Sequence, residues 1–113
     1  MKIKEIIVIT RPNTDIPFHP TDSNNWFDTD PTTSNSYQYF TEKYVNTGKA
    51  ERVPQRPVIS DDGLTLTYET IFTSTAGLEE MYSDEYYILN NEVNLRYRAA
   101  NNIYFVEDLI PIE

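Results

Sequence analysis

Residues 3–10 read Ile-Lys-Glu-Ile-Ile-Val-Ile-Thr and carry the strongest structural signal in the chain. The β-branched run from Ile6 to Ile9 is typical of a strand that is covered on both faces. The pattern stops at Arg11-Pro12, because proline cannot continue a regular hydrogen-bonded element. We therefore predict that residues 3–10 form the central strand of a sheet.

Two further strands are indicated by the placement of prolines and by residue alternation. Glu51–Ser60 is extended but contains Pro54 and Pro57, which cannot donate to a strand ladder, so this segment should lie at a sheet edge. Asp61-Asp62-Gly63 predicts a tight hairpin turn, and the alternation along Leu64–Thr73 predicts a strand with one face in the core. The predicted core residues are Leu64, Leu66, Tyr68 and Phe72, and the predicted outward residues are Thr65, Thr67, Glu69 and Ile71.

Three segments have helical spacing. Aromatic and apolar residues between Ser34 and Gly48 predict a helix of about three turns. Ser74 or Thr75 can cap a short second helix, and Ser83-Asp84 can cap a longer third one that ends at Asn101-Asn102. The predicted inner stripe of the longer helix is Tyr86, Leu89, Val93, Tyr97 and Ala100. Residues 103–110 then predict a last strand, which Pro111 closes.

With the two helical segments after Ser74 counted together, these elements follow one another in the order β-α-β-β-α-β. Two right-handed crossovers in this order place both helices on one face of a four-stranded antiparallel sheet, with the first and third strands central. We therefore expect an α+β protein with a ferredoxin-like sandwich fold. With 113 residues, the chain has the size of a single domain spanning residues 1–113.

The charge balance and the absence of cysteine argue against several classes of partner and of chemistry. Nine Lys and Arg residues stand against 18 Asp and Glu residues, a net charge of −9, which disfavours nucleic acids and anionic membranes. The absence of cysteine excludes disulfides, thiolate catalysis and cysteine-ligated zinc. The N-terminal apolar run is too short for a signal-peptide core, so we expect a virion or cytoplasmic location.

The segment Arg11–Thr33 is a long loop or arm, rich in proline, aspartate and asparagine. Trp26 and Phe27 lie in its polar middle and need something to pack against. They either fold back on the protein's own core or anchor a partner chain, together with Phe18. The only histidine, His19, has no visible nucleophile partner, and residues 22–30 lack the glycine and glutamate of an EF-hand loop. Neither feature predicts catalysis or metal binding.

The second candidate surface is the sheet face that the helices leave uncovered. Thr65, Thr67, Glu69 and Ile71 would point outward there, either into water or against the sheet of a second copy. A pocket between helices and sheet is a further alternative, with a cleft lined by Tyr68, Phe72, Tyr97 and Tyr104.

Two resemblances bear on these alternatives. Asp62-Gly63-Leu64-Thr65, the helix start Ser74–Glu80, and Tyr97 followed by Asn101-Asn102-Ile103 resemble the dimeric α+β barrel group, which includes small monooxygenases. That resemblance covers residues 60–110 and implies no catalytic residue here. The acidic, cysteine-free composition, rich in Thr, Asn and Tyr, is similar to that of small virion proteins of tailed bacteriophages.

We therefore expect a structural or protein-interaction component of a larger assembly, such as a bacteriophage virion. It would contact protein partners, including copies of itself, through the 11–33 arm and the sheet face. The alternative is a monooxygenase-like dimeric barrel enzyme or a small-molecule binder. The sequence indicates no catalytic residue, no cofactor and no metal ligand.

Overall fold

The computed structural model describes residues 1–18, 39–53 and 57–112 and shows an α+β protein. Within these residues, five strands form one open antiparallel sheet and three segments are helical. The strands are β1 (Lys2–Thr10), β2 (Ala50–Arg52), β3 (Val58–Ile59), β4 (Thr65–Phe72) and β5 (Tyr104–Ile112). The helical segments are a π-helical turn (Thr41–Val45), α1 (Thr75–Tyr82) and α2 (Glu85–Asn101).

The strand order across the sheet is β2, β4, β1, β5, and β3 also pairs with β4. β2 pairs with the end of β4, and β3 pairs with its beginning, so both lie on the same outer edge. The edge position predicted for the proline-bearing segment is confirmed. The predicted count of four strands is wrong, because this edge consists of two short strands. Proline has no N–H to donate to a continuous ladder, and Pro57 directly precedes β3.

β1 is central, as predicted, and lies between β4 and β5. Its burial alternates: Ile3, Glu5, Ile7 and Ile9 are buried, whereas the residues between them are only half-buried. The expectation that β1 is covered on both faces is therefore wrong. The β-branched run fills both faces of the strand, but only one of them meets the core.

The hairpin before β4 forms as predicted. Gly63 has a φ of +75°, and its N–H donates to the Ser60 carbonyl at 2.9 Å. A side chain at position 63 would be strained by that φ and would press on Thr14 Cγ2 at 3.2 Å, so glycine is required. β4 then alternates as expected, with Leu66 and Phe72 fully buried.

The core lies on one face of the sheet and consists of two clusters. The first joins the sheet to α1 and the π-helical turn, and the second joins the sheet to the start of the arm. The first cluster contains Ile3, Tyr44, Ala50, Phe72, Leu78 and Met81. The second contains Ile7, Ile9, Phe18, Leu66 and Ile103, with Tyr97 of α2 packed against it.

Helix α2 matches the predicted inner stripe only in part: Tyr86 and Tyr97 are half-buried, and Tyr97 packs against the second core cluster. Leu89, Val93 and Ala100 of the predicted inner stripe are exposed, and the buried residues of the helix are Asn94 and Arg98. This side of the core is polar, as described below, so long polar side chains fill the space that an apolar stripe would otherwise occupy.

Both helices begin and end where the capping signals indicate. The Ser74 side chain accepts from the Gly77 N–H, and Asp84 accepts from the Tyr86 N–H. Asn102 ends α2 in the left-handed conformation, with a φ of 57°. Of the helix predicted over residues 34–48, the described part is helical at residues 39–40 and π-helical over Thr41–Val45.

Candidate functional site

The face of the sheet opposite the helices is a candidate interaction surface, which we call the open face. The cross-strand register places one set of alternating side chains on it. The described helices pack on the other face, through the two core clusters. The open face contains Lys2, Lys4, Ile6, Val8 and Thr10 of β1, Thr65, Thr67, Glu69 and Ile71 of β4, Tyr104, Val106, Asp108, Ile110 and Ile112 of β5, and Glu51 and Val58 from the β2/β3 edge.

A row of small apolar side chains crosses the open face at one level. Val58 lies opposite Thr67, Thr67 lies opposite Val8, and Val8 lies opposite Val106. Val58 and Val106 are 54% and 52% exposed, and Val8 between them is half-buried. We call Val58, Thr67, Val8 and Val106 the valine row. Exposed β-branched residues in register on adjacent strands form a contiguous apolar patch.

The charges on the open face largely compensate one another. Lys4 Nζ lies 2.7 Å from Glu69 Oε1, and both side chains are about one-third exposed. In the register, Ile71 and Ile110 flank Lys4, and Glu69 and Asp108 flank Ile6. Apolar and charged side chains are therefore interspersed at these two levels of the open face.

The outer edge of the sheet on the β5 side is long and exposed. All residues of Tyr104–Ile110 are exposed, and within the described residues β5 pairs only with β1. Glu107, Asp108 and Pro111 interrupt this edge with two charges and a proline, which are devices that protect exposed edges from uncontrolled pairing. A side-by-side contact of two β5 edges would bring these carboxylates together.

The structure locates five of the seven residues predicted to bind a partner. Thr65, Thr67, Glu69 and Ile71 lie on the open face and are half-buried. Trp26 and Phe27 lie outside the described residues. Phe18 is 0% exposed and belongs to the second core cluster, so its prediction as an outward anchor is corrected: a fully enclosed ring has no free surface for a partner.

The first part of the arm is fixed to the domain. The Arg11 guanidinium donates to the carbonyls of Gly63 and Ile16, both at 2.9 Å, and stacks on the Phe18 ring at 4.0 Å. The Tyr97 hydroxyl donates to the Pro17 carbonyl at 2.7 Å. Residues 11–18 therefore pack against the hairpin and α2.

The four residues of the alternative ligand cleft are not brought together. Phe72 is enclosed in the first core cluster, whereas Tyr68 and Tyr97 pack against the second. Tyr104 is exposed and lies on the open face, opposite Thr10. A single cleft lined by these side chains is therefore not present.

Asp84 joins the segment around the π-helical turn to the start of α2. Its carboxylate accepts hydrogen bonds from the Tyr39 and Tyr44 hydroxyls and from the Tyr86 N–H, and it forms an ion pair with Lys43 at 2.7 Å. Burial works to raise the pKa of Asp84, but the hydrogen bonds outweigh it and lower this pKa to about 2. These contacts serve to hold the fold together.

A second polar group lies between the sheet and the helices. The Tyr82 hydroxyl lies 3.1 Å from Glu5 Oε2 and 2.8 Å from Glu107 Oε2. Glu5 is only 4% exposed, and burial raises its pKa to about 9, assisted by the hydrogen bond and negative charge of Glu107. The sequence contained a signal that pointed to Glu5, because it alternates in phase with the buried Ile3, Ile7 and Ile9.

Arg98 of α2 borders this polar group. Its side chain is buried and its guanidinium stacks on the Phe105 ring at 4.2 Å. Burial lowers the pKa of Arg98, and burial likewise raises the pKa of the neighbouring Tyr68 hydroxyl. The inner side of α2 thus faces phenols and carboxyl groups.

Comparisons with known proteins give no relative: no family model, no curated protein and no solved structure matches this chain. The described residues contain no group of three or more His, Cys, Asp or Glu side chains arranged to hold a metal ion. Among the described helices, none is both long enough and apolar enough to span a membrane.

Proposed function

We propose that this chain is a structural, protein-interaction component of a larger assembly and contacts its neighbours through the open face and the 11–33 arm. The valine row is the observation that carries this proposal. Its outer members are about half exposed, although they lie in register with a central strand. A second copy of the chain is the simplest occupant, because two open sheet faces can stack about 10 Å apart with their side chains interleaved.

The charge distribution favours this face for self-association. The open-face side of the strands carries Lys2 and Lys4 against Glu51, Glu69 and Asp108. Two lysines against three carboxylates leave a net charge of −1 on this side, out of −9 for the chain. Repulsion between two copies is therefore weaker here than over the rest of the surface.

The size of the face sets the expected strength of such a contact. Four strand positions about 4.8 Å apart and about 30 Å long give a footprint of roughly 500–600 Å² per copy. Two copies would bury about 1,000 Å² in total, which is the lower limit for a specific interface. With a contact of this size alone, the fraction of associated protein would depend on concentration. Additional contacts from the 11–33 arm fit the proposal of a larger assembly.

The fold proposal is a ferredoxin-like sandwich in which one edge strand is divided. The strand order supports it, since the β2/β3 edge, β4, β1 and β5 occupy the positions expected of the second, third, first and fourth strands.

We propose a bacteriophage virion as the larger assembly. The acidic composition and the absence of cysteine support this proposal.

A matched pair of substitutions on β5 tests the role of the open face. Val106 and Leu109 are 52% and 46% exposed on the same strand but lie on opposite faces of the sheet. We expect Val106→Lys to weaken self-association at least tenfold, because it buries an uncompensated charge in the interface, and Leu109→Lys to leave it unchanged. Light scattering coupled to gel filtration over a range of concentrations measures both variants.

Equal effects of the two lysines, or a wild-type chain that stays monomeric at every concentration, would contradict self-association through this face. The mass of complexes isolated from the natural source then separates a free dimer from a subunit of a particle.

A further inference from the structure

The hydrogen-bond geometry at Glu5, Tyr82 and Glu107 points to a shared proton. A phenol hydroxyl carries one hydrogen, yet the Tyr82 oxygen lies within hydrogen-bonding distance of both carboxyl groups, at 3.1 Å and 2.8 Å. One hydrogen can serve both carboxyl groups only as a weaker, bifurcated bond. Two full hydrogen bonds form when the Tyr82 hydroxyl donates to one carboxyl group and the other carboxyl group is protonated and donates to the Tyr82 oxygen.

The two carboxyl groups come from neighbouring strands and point to the same side. Glu5 lies opposite Leu109 in the register, and Glu107 lies opposite Ile7, so the two glutamates are diagonal neighbours on the core face. Tyr82 is the last residue of α1. The three side chains therefore connect the central strand, the β5 edge strand and α1.

We propose that Glu5, Glu107 and Tyr82 form a proton-dependent clasp that holds β5 and α1 against β1 and loosens when the shared proton is lost. Glu5 is the member that keeps the proton, since it is the enclosed one, whereas Glu107 lies on the exposed strand. With the proton present, the pair carries one negative charge and satisfies both contacts of Tyr82. Without it, the enclosed Glu5 carboxylate faces the Glu107 carboxylate, and little water surrounds Glu5 to screen their repulsion.

The other groups around Glu5 do not neutralise a second negative charge. Tyr87 and Arg98 approach from α2, Tyr68 from β4, and Thr70 lies opposite Glu5 on β4. Tyr68 and Tyr87 are neutral phenols whose pKa values are raised by burial. Arg98 is a buried cation of α2, but its guanidinium stacks on Phe105, and no described carboxylate forms an ion pair with it.

The sign of the pH dependence follows from the raised pKa of Glu5. The unfolded chain releases the Glu5 proton near 4.5 and the folded chain near 9, so the folded state binds more protons between these values. The stabilisation is complete below pH 4.5 and is lost as the pH rises toward 9. The unfolding equilibrium constant should therefore increase by up to about tenfold per pH unit in this window.

Glu5→Gln tests the clasp, because the carboxamide copies the protonated acid in size and can still donate to the Tyr82 oxygen. Glu92→Gln is the matched control, because it makes the same chemical change at an exposed position of α2. We expect the wild type and Glu92→Gln to lose stability from pH 5 to 9. In Glu5→Gln, the pH dependence of the free energy of unfolding should be smaller by close to one proton. Urea unfolding at each pH measures it, and the contribution of His19 cancels in the comparison.

Two measurements on the folded protein keep the test independent of unfolding. Carbon-13 NMR of the glutamate carboxyls should show one group titrating near pH 9 that is missing in Glu5→Gln. Hydrogen exchange, corrected for intrinsic rates, should show β5 amides opening more as the pH rises in the wild type only. If Glu5→Gln does not fold, Glu107→Gln takes its place and should move the Glu5 midpoint downward.

A Glu5 carboxyl that titrates near 4.5, or parallel pH profiles for the wild type and Glu5→Gln, would overturn the proposal. The clasp lies on the core face, so its failure would leave the proposed role of the open face untouched.

Discussion

The two faces of the sheet use the same strands for different purposes. On the core face, β1 and β4 place large buried side chains such as Ile9, Leu66 and Phe72 under the helices. On the open face, the same strands place smaller and more polar side chains in half-exposed rows. The difference indicates that the core face provides the stability of the chain, and that the open face is available for a partner.

The largest expected effect on stability comes from comparing two neighbouring residues of β4, one on each face of the sheet. Phe72→Ala removes a fully buried ring and should lower the free energy of unfolding by about 3–5 kcal/mol. Ile71→Ala, next to it on the open face, should cost about 1 kcal/mol, because that side chain is already partly in water. Urea unfolding measures both variants, and similar losses would mean that the open face is also a core.

The second effect concerns how the helical layer is fastened to the core face. Asp84→Ala removes the cap of α2 and leaves the buried Tyr44 hydroxyl without its acceptor, so we expect a loss of about 2–4 kcal/mol at neutral pH. The exposed Asp108→Ala should change stability by less than about 0.5 kcal/mol.

The same Asp84 substitution has a defined pH signature. The pKa of Asp84 is about 2 in the folded chain against 3.8 ordinarily, so its contribution is present above pH 3.8 and is lost as the pH falls toward 2. The difference between the wild type and Asp84→Ala should therefore narrow across that interval in acid unfolding curves. A constant difference from pH 5 to 2 would show that the carboxylate charge contributes nothing.

The smallest expected effect is on the open face of the single chain. Val106→Ala should change the free energy of unfolding by less than about 0.5 kcal/mol when measured at concentrations too low for association. A larger loss in the monomer would mean that the valine row stabilises the chain itself.

Much of the sheet was predictable because strands signal their faces at a period of two residues. The alternation in Leu64–Thr73 predicted the buried Leu66 and Phe72 but not the buried Thr70, and the prolines predicted the edge. The division of that edge into β2 and β3 was not predictable, because proline identity shows where pairing fails but not where it resumes. The inner side of α2 was predicted only in part: Tyr97 packs against the core as expected, but the buried Asn94 and Arg98 are polar and gave no hydrophobic signal.

The candidate sites were predictable only in part. The open-face positions of Thr65, Thr67, Glu69 and Ile71 follow from alternation alone, whereas the valine row depends on register between four strands, which no local pattern contains. Phe18 was assigned to a partner because the loop composition around it is polar, but Arg11 folds that part of the loop back onto the core.

The accessibility of valine methyl groups in the assembled protein tests the role of the open face most directly. In valine-labelled protein, methyl NMR with a dissolved paramagnetic agent compares Val58, Val8 and Val106 of the valine row with Val93, which is exposed on α2. We expect the three open-face methyls to become protected from the agent as the protein concentration rises, while Val93 stays accessible. Methyls of the valine row that remain as accessible as Val93 at every concentration would contradict an interface on the open face.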